Sequence, residues 1–181
     1  VLAANMRRII LLLFAFMALS TDWVEYAFMQ KEDTQAKIKA TFLYGFTKYF
    51  DWPGNEANFS ITILGDNQGL VAEMNKIAAT KQVGGKKIVI HNLQHVKEIE
   101  RTDILFITPD KSALLADAVS KFKGRGTLII TEKQGLAKVG ATINFVVEEN
   151  KQKFELNKSA ASKAGLTIGT SLEKLAANVY N

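Results

Sequence analysis

The chain has 181 residues, 48% apolar and 23% charged, with a formal net charge of +5 and no cysteine. That length suffices for one domain with a real core and is short for two. The missing cysteines exclude a disulfide framework, a thiol nucleophile, Cys-based zinc or iron–sulfur sites and a lipoprotein anchor, and the positive excess lies in scattered lysines, not a run, which argues against nucleic-acid binding.

In chain order, Arg7 and Arg8 precede an unbroken apolar run over residues 9–19. A membrane-spanning helix needs about 20 apolar residues, whereas a secretory signal needs about 7–15 after a basic start. The run therefore reads as a signal peptide, with Met6 as the start and residues 1–29 as the leader. An uncleaved anchor is the alternative, because residues 23–29 extend the apolar character past Asp22. The domain then covers residues 30–181.

Residues 35–50 carry helical spacing with apolar side chains on more than one side, and Asp51-Trp52-Pro53-Gly54 stops them. Strands are predicted over 59–64, 86–91, 103–108 and 127–131, with helices over 70–79 and 111–122 between them. Pro109 sits at an early helical position that tolerates it. Residues 141–147 and 152–156 read as a β-hairpin. A short helix over 157–163 ends at Gly165, and Ser171 caps a last helix over 172–179 whose Leu172, Leu175, Ala176 and Val179 share one face. Alternating strands and helices imply a mostly parallel sheet covered on both faces, and the hairpin adds an antiparallel edge. The fold class is α/β: a single three-layer domain with a mixed sheet of about six strands, a C-terminal hairpin and helices.

Five blocks in order resemble one family. They are Lys39-Ala40-Thr41-Phe42-Leu43-Tyr44-Gly45-Phe46 running into Asp51-Trp52-Pro53, Ile63-Leu64-Gly65-Asp66, Ile104-Leu105-Phe106-Ile107, Gly135-Leu136-Ala137 through Gly140-Ala141-Thr142-Ile143-Asn144-Phe145, and Lys153-Phe154-Glu155-Leu156-Asn157 with Ala164-Gly165-Leu166. Together they resemble the YfiR family over about residues 36–178. Leu136 stands where the family usually has Phe, and Ala141 where it has a second Gly. The resemblance implies a periplasmic α/β domain without known catalysis, one that binds and represses an inner-membrane signalling protein through its periplasmic sensor region. A diguanylate cyclase or a sensor kinase would be such a partner, with cyclic di-GMP and biofilm as the output. Relatives also suggest a homodimer. The disulfide-linked redox control proposed for some relatives cannot operate in a chain without cysteine.

The chemistry-bearing residues are few. Open α/β sheets bind ligands beyond the carboxyl ends of their strands. That edge is expected to carry Asp66, Thr108, Asp110, Thr131 and Glu132 as ligand-binding candidates, although all are also good capping or turn residues. Trp52, Leu172, Leu175 and Val179 are candidate partner contacts, with core packing as the alternative. Gly124-Arg125-Gly126 precedes a strand, so it is a turn and no nucleotide fingerprint. His91 and His95 with Glu98 make a conceivable metal pair but lie on a strand end and a loop. No serine sits in a nucleophile elbow, and Glu148-Glu149 falls in the hairpin turn. No catalytic residue, cofactor or metal is expected. A regulator of a membrane signalling protein is the first reading, and a periplasmic small-molecule binding protein is the second.

Overall fold

The computed structural model describes residues 29–31 and 33–181. The expected leader, Met6 included, lies outside the described residues apart from Met29. Among the described residues no helix is long and apolar enough to cross a membrane.

Helix α1 spans residues 33–46. Its buried residues Ala36, Ala40, Leu43 and Phe46 recur every three or four positions and form one stripe. The helix stops short of the predicted residue 50. Thr47, Lys48 and Tyr49 bond back three residues instead of four, which tightens the last turn, and β1 (Phe50–Asp51) pairs antiparallel with β9 (Thr167–Ile168). The remaining elements are β2 (Asn58–Leu64), α2 (Gln68–Thr80), β3 (Gln82–Val83), β4 (Lys86–Leu93), β5 (Ile104–Ile107), α3 (Leu115–Lys121), β6 (Leu128–Thr131), β7 (Ile143–Glu148), β8 (Lys151–Asn157), α4 (Lys158–Ala164), α5 (Thr170–Glu173) and β10 (Asn178–Tyr180).

The main sheet has eight strands in the order β10-β8-β7-β6-β5-β2-β4-β3. Strands β4, β2, β5, β6 and β7 run parallel. β8 returns antiparallel to β7 through a two-residue turn at Glu149 and Asn150, both with positive φ, as tight hairpins require. The mixed, mostly parallel three-layer fold matches the sequence reading. The strand count exceeds six because β3 and β10 are too short to give a periodic signal.

One further element differs. The predicted helix over 172–179 is only the one turn of α5. Ala177 N–H bonds Phe154 O at 2.8 Å, and β10 then pairs parallel with β8. The unsatisfied backbone of an edge strand captures the chain and overrides its helical spacing.

The two faces of the sheet are unequal. On one, Phe59, Ile61, Ile63, Ile104, Phe106, Leu128, Ile130, Phe145 and Phe154 pack under α1, α2 and α4. On the other, Leu64, Leu105, Ile107 and Ile129 pack under α3. Each fully buried large side chain contributes about 1.5–3 kcal/mol of transfer free energy.

Candidate functional site

The chain passes from β2 to β4 on one side and then returns to β5 on the other, so the strand order reverses between β2 and β5. A crevice at that point is the standard ligand position of open α/β sheets. Here it is filled. Gly65 ends β2 at φ 111°, and a Cβ built on it would lie 1.8 Å from Thr108 Oγ1. Thr108 is 1% exposed. Its N–H bonds Leu64 O at 3.0 Å, and its hydroxyl lies 2.5 Å from Asp110 Oδ1, so the one hydroxyl proton goes to the carboxylate. Asp66 accepts from Gln68 Nε2 at 3.1 Å, and Asn67 caps α2 by accepting from Leu70 N–H.

Polar space lies on either side of Lys39 along the same edge. One cavity of about 710 Å³ is lined by Asp66, Asn67, Gln68, Asp33, Gln35 and Lys39. Another of about 540 Å³ is lined by Lys39, Glu132, Gln134, Gln152, Phe145 and Glu155. Lys39 and Glu132 form an ion pair between them, both side chains largely buried. Asp66 and Glu132 thus face cavities, whereas Thr108 and Thr131 are turned to internal hydrogen bonds. Asp110 is exposed beside Thr108.

Beneath the second cavity runs a buried polar chain that the sequence reading missed. Thr131 Oγ1 donates to Asn144 Oδ1 at 2.7 Å, and Asn144 Nδ2 donates to Glu155 Oε2 at 3.0 Å. Tyr180 donates its hydroxyl to Glu155 Oε1 at 2.8 Å. That bond to a carboxylate pushes the Tyr180 phenol up from its ordinary value. Strand register puts Thr131 beside Asn144 and Asn144 beside Glu155. Polar residues alternating with Ile143, Phe145, Phe154 and Leu156 were the available signal.

A third space is apolar. A groove of about 370 Å³ runs between the last turns of α1, the start of β8 and α5, with Phe42, Phe46, Tyr49, Phe154, Leu172 and Leu175 on its walls. Its floor is rigid. Phe46 meets Phe154 edge-on at 5.1 Å and stacks on Phe145 at 6.1 Å, contacts worth about 0.5–1.5 kcal/mol each beyond area. Leu172 is fully buried and Leu175 is 56% exposed.

The other candidates are dispersed. Trp52 donates Nε1–H to Thr47 O at 2.8 Å and meets Phe59 edge-on at 4.8 Å. Val179 lies on edge strand β10, not on a helix face with Leu172 and Leu175. His91 is exposed within β4, and Glu98 spends its carboxylate on the backbone N–H of Gln94 and His95. Among the described residues no three His, Cys, Asp or Glu side chains are placed to hold a metal. Gly126 passes under Pro53 before β6, as a turn.

No curated protein matches the chain in sequence. The fold has a weak likeness to a solved structure described as the ABC domain in complex with L-Trp from Streptococcus pneumonia. The TM-score is 0.47 at 15% identity, over 67% of this chain and 55% of that one, and a likeness at that level carries no argument. The family comparison is of a different order: the model described as YfiR/HmsC-like matches residues 36–177, which contain every element from α1 to α5 almost entire. The chain therefore belongs to the YfiR/HmsC-like family, a membership that supports a periplasmic regulatory role in general.

Proposed function

We propose that this protein is a non-catalytic periplasmic regulator, exported by its N-terminal segment, that binds the periplasmic sensor region of an inner-membrane signalling protein and holds its output down. A diguanylate cyclase or a sensor kinase is the partner class, with cyclic di-GMP and biofilm as the affected output. The observation that carries this reading is family membership across residues 36–177. Regulation would then work by linkage: the partner prefers one state of the domain, and a signal shifts its population.

The test is affinity capture from detergent-solubilised membranes of the native host, with the full chain as bait. Reproducible co-elution of a membrane protein with a periplasmic sensor region and a cytoplasmic cyclase or kinase supports the reading. Recovery of no membrane protein, with bait in excess, removes its main support.

A second reading, a small-molecule binding protein, rests on the two polar cavities that meet at Lys39. Their carboxylates and amides suit a ligand rich in hydrogen-bonding groups. Ligand-induced protection of Glu132 and Asp66 from carbodiimide labelling would favour it.

A further inference from the structure

Gly45 lies in the last turn of α1 and lines the apolar groove. Glycine weakens a helix relative to alanine, so its presence calls for a reason. The usual reasons are absent. Gly45 does not have the left-handed φ of a helix-ending glycine, and among the described residues a Cβ built on it meets nothing within 4 Å. Nothing among the described residues requires glycine at this position. Thr41 stands one turn earlier on the same wall, so the ridge facing the groove carries two short side chains, and a helix could approach its backbone closely.

We propose that this groove docks an amphipathic helix of a partner protein, with its apolar side chains on Phe42, Phe46, Tyr49, Phe154 and Leu175 and an acidic flank. The proposal rests on the reading of the protein as a partner-binding regulator and names the surface that does it. The charge around the groove selects the occupant. In or next to the lining in sequence stand Lys48, Lys151, Lys153 and Lys174. Of the acidic neighbours, Glu148 pairs with Lys153, Glu173 pairs with Lys158, and Glu155 is buried and bonded to Asn144 and Tyr180, which leaves Lys48, Lys151 and Lys174 to set the charge. A second copy docked through the same face would bring these lysines together, which disfavours it. Acidic residues flanking an apolar stripe complement them.

The test uses two synthetic amphipathic helical peptides with the same leucine face, one flanked by glutamates and one by lysines. Binding to the full chain is read by fluorescence anisotropy. The glutamate-flanked peptide should bind at least about tenfold tighter, which is about 1.4 kcal/mol. Gly45→Leu fills the groove and Leu175→Lys charges its wall. Each should weaken that peptide about tenfold or more without lowering the melting temperature. Equal binding of both peptides, binding of neither, or variants that bind as the wild type would each overturn the proposal. So would a wild-type dimer in sedimentation that Leu175→Lys dissociates, because the occupant would then be a second copy. Membrane capture separates this failure from that of the regulator reading. If Gly45→Leu captures the partner as well as wild type does, the groove is wrong and the regulator stands. If wild type captures nothing, the regulator reading falls while the peptides still decide the groove.

Discussion

Two glycines stand at places where this fold could offer a site, and they differ in what faces them. Gly65 ends β2 in the switch-point crevice, with Thr108 Oγ1 occupying the volume its Cβ would take. Gly45 lines the groove beside α1, with open space where its Cβ would be. The first glycine serves the fold, because it lets a buried threonine close the crevice and bond across it. The second faces no neighbour among the described residues. A glycine's meaning is thus set by its opposite neighbour, and the topological rule that points to the crevice is overruled by one close-packed side chain.

The largest effect should come from breaking the closed end. Gly65→Ala forces a Cβ into Thr108 at a φ that L residues rarely adopt. Strain and overpacking together should cost about 3–5 kcal/mol in urea unfolding. Adding Thr108→Ala removes the 1.8 Å contact but leaves the Cβ of residue 108 at 3.0 Å and Lys111 Cγ at 2.8 Å, so it should recover part of the steric cost and leave the backbone part. If the double variant is no more stable than the single, the contact with Thr108 is not what makes glycine necessary there.

Next comes the buried chain behind Glu132. Asn144→Ala leaves the buried Thr131 hydroxyl and one oxygen of the largely buried Glu155 without their partner. The expected loss is about 2–3 kcal/mol. Because Tyr180 bonds the other oxygen of Glu155, the same substitution should speed amide exchange along β10 more than along β2. Uniform exchange would mean that β10 does not depend on the relay.

Most of the sheet was legible because β2, β4, β5 and β6 announce themselves by β-branched runs and the hairpin by its spacing. What escaped was set by distant partners. Nothing local in Asn178-Val179-Tyr180 says strand, and the free edge of β8 decides it. Nothing local ends α1 at Phe46, but Thr167 and Ile168 wait to pair with Phe50 and Asp51. At the carboxyl edge, residue type predicted placement correctly and role less well. Thr108 and Asp66 reach that edge, yet only the packing shows that one plugs the crevice and the other lines a cavity.

The open end should respond mildly and with the opposite sign. Gly45→Ala adds a helix-favouring methyl that touches nothing among the described residues, so it should stabilise the chain by up to about 1 kcal/mol. A rise of a few degrees in melting temperature would confirm that the fold does not need glycine there. A fall would show that the space is filled by the chain itself and would make Gly45 resemble Gly65.

The smallest effect concerns the amino edge of the same sheet, where closure again depends on one buried polar side chain. Asp103, 5% exposed, accepts from Ser60 N–H at 2.7 Å and from Arg101 at 3.0 Å. Burial nonetheless pushes its carboxyl above the ordinary 3.8, against the pull of the Ser60 N–H and of Arg101. A carboxyl raised in the folded state binds its proton more tightly there than in the unfolded chain. Its contribution to stability is therefore fully present below 3.8 and is lost as pH rises through the folded value. Asp103→Asn keeps an oxygen for Ser60 N–H and removes the titration. Compared at about pH 4.5 and about pH 7, wild type should gain stability on acidification relative to the variant. If wild type instead loses stability relative to Asp103→Asn, the hydrogen bond and Arg101 outweigh burial, and the amino edge is held by charge more than by packing.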